Sequence, residues 1–99
     1  VDDLADAVLH LMEHYDGPEQ VNVGTGSDVT IAEIAETIAD ATGFEGDTVW
    51  DTSKPDGTRQ KLLDVSKLAS AGWTSKISLG EGIESTLAWY RDHVDSIRG

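Results

Sequence analysis

The feature that most constrains the fold is a helix between two short apolar segments in the first half of the chain. Thr30 and Glu33 have the spacing of a capping box, in which each residue's side chain accepts a hydrogen bond from the other's backbone N–H. Gly43 suits the left-handed residue that commonly follows a helix. Gln20–Val23 and Thr48–Trp50 are typical of short strands. A helix joining two strands predicts a β-α-β unit with parallel strands, and hence an α/β fold.

Amphipathic helices are predicted on both sides of this unit. The first starts at the beginning of the chain and is stopped by Gly17 and Pro18. A short helix is expected over Val65–Ala71, and Ser78 with Glu81 forms a second capping box that opens the last helix. By helical spacing, the buried face of the first helix is expected to comprise Val1, Leu4, Ala5, Val8, Leu11 and Met12.

The composition excludes several classes of protein. Nineteen acidic and seven basic residues give a formal charge of −12, which argues against a nucleic-acid partner. The chain has no cysteine, which excludes disulfides, thiolate metal sites and cysteine catalysis and fits the cytoplasm. No apolar run is long enough to span a membrane. Because helical pattern starts at once from Val1, the chain is expected to be the C-terminal part of a longer polypeptide.

Two short motifs suggest chemistry without the context that would support it. His10 and His14 occur in an H-x-x-E-H string, but no further metal ligand is evident, so both are expected to be solvated and no metal site is predicted. Gly24-Thr25-Gly26 resembles the start of a dinucleotide fingerprint, but Val29 occupies the position of the third glycine. A tight turn is the preferred interpretation, with a place near a ligand as the alternative. No catalytic set is found in the chain.

The scarce positive charge is concentrated in one loop. Lys54, Arg59 and Lys61 lie in the stretch DTSKPDGTRQK, where Asp56-Gly57 predicts a turn. The three cations are able to converge on a diphosphate, and Asp56 is able to accept hydrogen bonds from a sugar diol. A solvated turn whose cations offset part of the acidic excess is an equally good interpretation of the residues alone.

Several stretches resemble one enzyme family. VDDLADA, VNVGTG with the helix after it, SKPDGT, KLLDV and the closing helix are similar to the C-terminal third of the GDP-L-fucose synthase family. These extended short-chain dehydrogenases epimerise GDP-4-keto-6-deoxy-D-mannose at C3 and C5 and reduce C4 with NADPH, giving GDP-L-fucose. The resemblance implies that residues 1–99 form a single C-terminal substrate-binding lobe. The NADP-binding Rossmann domain and all catalytic residues of the family precede the part that this chain resembles.

The resemblance also implies substrate-binding residues. The family's substrate-contacting aspartate falls on Asp56 and the lysine of KLLDV on Lys61. The family usually has K-P-D-G-T-P-R-K, whereas here Arg59 replaces the usual Pro and Gln60 the usual Arg. We therefore rank Asp56 first, Lys61 second and Arg59 third, with Lys54 as a further candidate.

Three functional hypotheses follow. The first is the GDP-sugar-binding part of a GDP-L-fucose synthase-like enzyme, inactive by itself, with a GDP-linked deoxyhexose, its own Rossmann domain and a second copy as partners. The second is a free-standing GDP-sugar-binding module. The third is a non-catalytic acidic α/β module that associates with itself, because helices parted from a larger domain expose apolar surface.

Overall fold

The computed structural model describes residues 1–97, and this part of the chain is helical. Its elements are α1 (Asp2–His14), α2 (Ile31–Thr42), α3 (Ser66–Ser70) and α4 (Leu79–His93). The chain divides into two compact units. The first unit comprises Val1–Asp28 and Asp56–Lys76, and the second comprises Val29–Pro55 and Ile77–Gly99.

A small apolar core holds the first unit together. Ala7 of α1, Leu68 of α3 and Trp73 are buried in contact with one another. Around them pack four half-buried side chains: Leu11, Val21, Val23 and Val65. The Trp73 Nε1–H donates to Asp6 Oδ2 at 2.9 Å, so the indole is buried without leaving its polar atom unsatisfied.

The face of α1 that packs in the first unit is not the predicted one. Ala7 is fully buried, and of the predicted face only Leu11 contacts the core. The other predicted residues are exposed: Val1, Leu4, Ala5, Val8 and Met12. The reason is that the segment after α3 bonds to acidic side chains of α1. Asp3 Oδ2 accepts from the Lys76 N–H at 3.0 Å, and Asp6 accepts from Trp73. These contacts orient the helix, and apolar spacing alone does not.

The short helix α3 is one residue shorter at each end than the predicted Val65–Ala71. The N-cap position of α3 is Val65, which makes no side-chain capping hydrogen bond. Just before it, Asp64 Oδ1 accepts from the Ser66 N–H at 2.9 Å. Gly72 ends it with a φ of 93°, in the left-handed region.

The second unit is built on the helices α2 and α4, which pack against each other. Both predicted capping boxes are confirmed. Thr30 Oγ1 accepts from the Glu33 N–H at 3.1 Å while Glu33 accepts from the Thr30 N–H at 2.6 Å, and Ser78 and Glu81 repeat the arrangement. Gly43 follows α2 with a φ of 71°. None of the described residues of this unit is buried.

The predicted β-α-β unit is not formed. Neither Gln20–Val23 nor Thr48–Trp50 is a strand, and residues 1–97 contain no strand at all. A strand requires a hydrogen-bonded neighbour, and the two segments belong to different compact units. Val21 and Val23 contact the core of the first unit, whereas Thr48–Trp50 is exposed. The apolar residues of Gln20–Val23 therefore pack against the core without forming a β-ladder.

Candidate functional site

The four candidate substrate-binding residues all have exposed side chains. Asp56, Arg59 and Lys61 belong to the first unit, and Lys54 belongs to the second. Within residues 1–97, none of the four side chains is seen to form a hydrogen bond or an ion pair, with one another or with any other residue. Their charged atoms are therefore accessible to a ligand.

Two other lysines of this acidic chain have carboxylate partners. Lys67 Nζ lies 2.6 Å from Glu19 Oε2, and Lys76 Nζ lies 2.9 Å from Asp6 Oδ2. The hydrogen bond to Glu19 raises the pKa of Lys67, and the same contact lowers the pKa of Glu19. The cations of the loop thus differ from Lys67 and Lys76 in having no carboxylate partner in the described part of the chain.

A local turn shapes the start of the loop. Asp51 Oδ1 accepts from the Ser53 hydroxyl at 2.5 Å and from the Ser53 N–H at 3.0 Å. Both hydrogen bonds lower the pKa of the Asp51 carboxyl, and the one from the Ser53 hydroxyl has the larger effect. The Lys54 N–H is 3.5 Å from the Asp51 carbonyl oxygen. An aspartate that bonds two residues ahead is typical of a turn, so the bend preceding Pro55 is fixed by its own side chains.

The first unit contains a polar hollow that sequence reasoning did not find. The hollow has a volume of about 280 Å³ and is lined by Gln20, Asn22, Asp64, Ser66 and Lys67. Asn22 Nδ2 donates to the Asp64 carbonyl oxygen at 3.3 Å across it, and Lys67 Nζ donates to the Gln20 carbonyl oxygen at 3.3 Å. No sequence signal indicated this hollow, because its two sides lie more than forty residues apart in the sequence.

The H-x-x-E-H histidines differ from expectation. His10 is half-buried and its Nε2 lies 2.7 Å from the Ala71 carbonyl oxygen, so the prediction that it is solvated is wrong. His14 is exposed, as expected, and its Nδ1 lies 2.9 Å from the His10 carbonyl oxygen. The two rings stack at a centroid distance of 4.2 Å. Because a carbonyl only accepts, each of these nitrogens carries a proton and is not a free metal ligand.

The glycine pair after Val23 forms a bend. Gly26 has a φ of 79°, in the left-handed region, and Thr25 Oγ1 donates to the Ser27 carbonyl oxygen at 3.1 Å. α2 begins only at Ile31. A dinucleotide fingerprint opens directly into a helix whose N-terminus meets the phosphates. The geometry therefore favours the tight turn over a dinucleotide site.

Sequence comparison places the chain beside curated enzymes about three times its length. It is 54% identical over 94 residues to "GDP-L-fucose synthase 1" of Arabidopsis thaliana, covering 95% of this chain and 29% of that protein. It is 47% identical over 108 residues to "GDP-L-fucose synthase" of Escherichia coli strain K12, covering 100% of this chain and 34% of that protein. The chain thus spans about a third of the length of these relatives. No family model matches it.

A solved structure shares the fold. The GDP-mannoheptose C4 reductase of Campylobacter jejuni, solved with NADP bound, superposes with a TM-score of 0.79 at 38% identity, covering 91% of this chain and 29% of that one.

Along the described part of the chain, no helix combines the length and the apolar character that crossing a bilayer needs. Over nearly its whole length, this chain is similar to the C-terminal portion of the GDP-L-fucose synthases.

Proposed function

We propose that the chain is the GDP-sugar-binding part of an NADP-dependent epimerase/reductase that converts GDP-4-keto-6-deoxy-D-mannose to GDP-L-fucose in the cytoplasm. One observation carries the assignment of the site. Among residues 1–97, the cations of the loop are exposed and have no carboxylate partner, whereas Lys67 and Lys76 do, in a chain with a net charge of −12. The similarity to GDP-L-fucose synthases supplies the class of ligand.

The chemistry of the loop suits a diphosphate-linked sugar. Lys61 and Arg59 donate charge-assisted hydrogen bonds to phosphate oxygens, and Lys54 is a further candidate for a contact of this kind. The Asp56 carboxylate oxygens accept hydrogen bonds, which suits the hydroxyl groups of a sugar ring. Both kinds of contact are needed, because a purely cationic loop would not distinguish a sugar nucleotide from inorganic phosphate.

This part of the enzyme positions the substrate. Epimerisation removes a proton beside a ketone and the reduction adds a hydride, which NADPH supplies when bound. The bend at Gly24–Gly26 does not fit a dinucleotide, so we place the NADP site and the proton-transfer residues in the remainder of the enzyme. Holding the ketone in one orientation is a substantial share of catalysis. We expect no NADPH consumption by this chain alone.

The partner of this chain is the remainder of the enzyme, which includes a Rossmann domain. Residues 1–99 form the substrate lobe against it, and the intact enzyme is a homodimer. The exposed apolar residues of α1 supply a docking face. Gln20–Val23 and Thr48–Trp50 become strands once neighbouring strands are supplied, because an isolated strand has no stability of its own.

Isothermal titration calorimetry with GDP tests the site. We expect GDP to bind, and Asp56→Ala and Lys61→Ala each to weaken it, the lysine change by about tenfold because a charge-assisted contact is lost. GMP, with one phosphate fewer, should bind more weakly than GDP. Arg91→Ala is the matched control, since it removes the same charge from α4 and should leave the affinity unchanged.

The result that overturns the proposal is a wild-type chain that is helical by circular dichroism and binds no GDP. Equal losses from Lys61→Ala and Arg91→Ala would also overturn the assigned site, since they would show only the effect of net charge. A second candidate function, self-association, is favoured by the absence of buried residues in the described part of the second unit. Concentration-dependent sedimentation without GDP binding would support it.

A further inference from the structure

The segment that carries Lys61 is seated on the glycine bend of the first unit. A Cβ atom placed on Gly24 would lie 3.5 Å from Val65 Cγ1 and 3.7 Å from Leu63 Cδ1. At Gly26 it would lie 3.1 Å from Val65 Cγ2, closer than ordinary van der Waals contact. The bend therefore lies against residues that follow Lys61, and a side chain at Gly26 would require Val65 to move by a few tenths of an ångström.

Hydrogen bonds hold the same segment from both sides. Asn22, just before the bend, donates its Nδ2 to the Asp64 carbonyl oxygen at 3.3 Å. The Asp64 carboxylate accepts from the Ser66 N–H and thereby ties the segment to α3. Val65 also packs against the buried core. The exposed stretch around Lys61 is thus free at its tip and fixed at its base.

We propose that Asn22 and the bend at Gly24–Gly26 are positioning elements for Lys61, setting where its ammonium group meets the diphosphate. This inference rests on the proposed function and assigns the glycine pair a task other than dinucleotide binding. A shift of Val65 by a few tenths of an ångström is carried along the backbone toward Lys61. Such a shift weakens binding without changing any residue that touches the ligand.

Glycine substitutions separate positioning from stability. Gly26→Ala meets both an unfavourable positive φ and the Val65 methyl group, whereas Gly43→Ala meets a similar φ with no neighbour within 4 Å. Both should lower the melting temperature. Only Gly26→Ala should weaken GDP binding, by about threefold to tenfold. Gly24→Ala, whose Cβ makes only ordinary contacts, should bind GDP like the wild type.

A rescue variant changes the affinity for GDP in a way that a purely structural role of the bend would not. Gly26→Ala with Val65→Ala removes the clashing methyl group and should recover the affinity for GDP, even though losing core volume lowers the melting temperature further. Unequal effects of Gly26→Ala and Gly43→Ala on affinity, with this recovery, support the proposal. Equal effects, or no recovery, overturn it.

Backbone amide chemical shifts of residues 61–63 test the positioning role of the bend independently of GDP. Gly26→Ala should move them and Gly43→Ala should not. If the wild-type chain binds no GDP, the proposed function fails, and these shifts alone decide whether the bend positions the segment. Unmoved shifts in Gly26→Ala overturn the positioning role whether or not GDP binds.

Discussion

At the scale of single residues, Asp6 has the most consequential contacts. Its Oδ2 accepts from the indole N–H of buried Trp73 and from Lys76 Nζ, each at 2.9 Å. The hydrogen bond from Trp73, followed by that from Lys76, lowers the pKa of the Asp6 carboxyl below its usual 3.8. The ionised carboxylate is therefore favoured by folding.

This pKa gives stability a definite pH dependence. A carboxyl group whose pKa is lowered on folding stabilises the fold above its unfolded pKa, and the contribution is lost as the pH falls through the folded value. We expect Asp6→Asn to melt at a lower temperature than the wild type at neutral pH. The difference should shrink as the pH falls below 3.8, the usual value for this group.

Melting curves followed by circular dichroism across this pH range provide the measurement. Asp2→Asn is the control, because Asp2 is an acidic residue of the same helix and lies in its first turn, where the helix dipole favours negative charge. It lacks the contacts with Trp73 and Lys76, so its effect should be smaller. Equal melting temperatures for the two variants at neutral pH would show that these contacts contribute nothing.

At the scale of elements, the capping box of α2 makes a separate prediction. Thr30→Ala removes the hydroxyl that accepts from the Glu33 N–H and should lower the free energy of unfolding by about 1 kcal/mol. Thr30→Ser keeps the hydroxyl and should stay close to the wild type. Urea unfolding followed at 222 nm measures both. A serine variant as unstable as the alanine variant would assign the loss to the methyl group instead.

The capping boxes also explain which elements were predictable. Both α2 and α4 begin where local side-chain chemistry places them, because donor and acceptor lie three residues apart. The packed face of α1 was mispredicted because its determinants, Trp73 and Lys76, lie about seventy residues away in the sequence. Strand formation likewise depends on distant backbone, which no local apolar pattern contains.

The same distinction between local and distant determinants applies to the candidate site. In the DTSKPDGTRQK stretch, Lys54, Arg59 and Lys61 could be named because cations are scarce in this chain, and Asp56 could be named from the resemblance to a known family. All four side chains are exposed. The packing of the glycine bend against the segment after Lys61 could not be predicted from the sequence. Gly24 and Gly26 suggested a turn, but the partner of that turn, Val65, is about forty residues distant.

At the scale of the whole molecule, the exposed apolar residues of α1 determine how the chain behaves without the remainder of the enzyme. Leu4 is 54% and Met12 is 76% exposed. We expect concentration-dependent association, which the double change Leu4→Gln and Met12→Gln should reduce without altering the net charge. Leu9→Gln, at an equally exposed position outside the predicted face, is the control. Sedimentation velocity measures the association, and an unchanged profile for the double variant would assign it elsewhere.

Because the three tryptophans are unequally buried, tryptophan fluorescence can report on the core of the first unit. Trp73 is 4% exposed in the first unit, while Trp50 and Trp89 are 54% and 55% exposed in the second. An indole shielded from water emits at shorter wavelength than a hydrated one. Replacing Trp50 and Trp89 by phenylalanine would leave one tryptophan, and the red shift of its emission would record the opening of the Ala7–Leu68–Trp73 cluster alone.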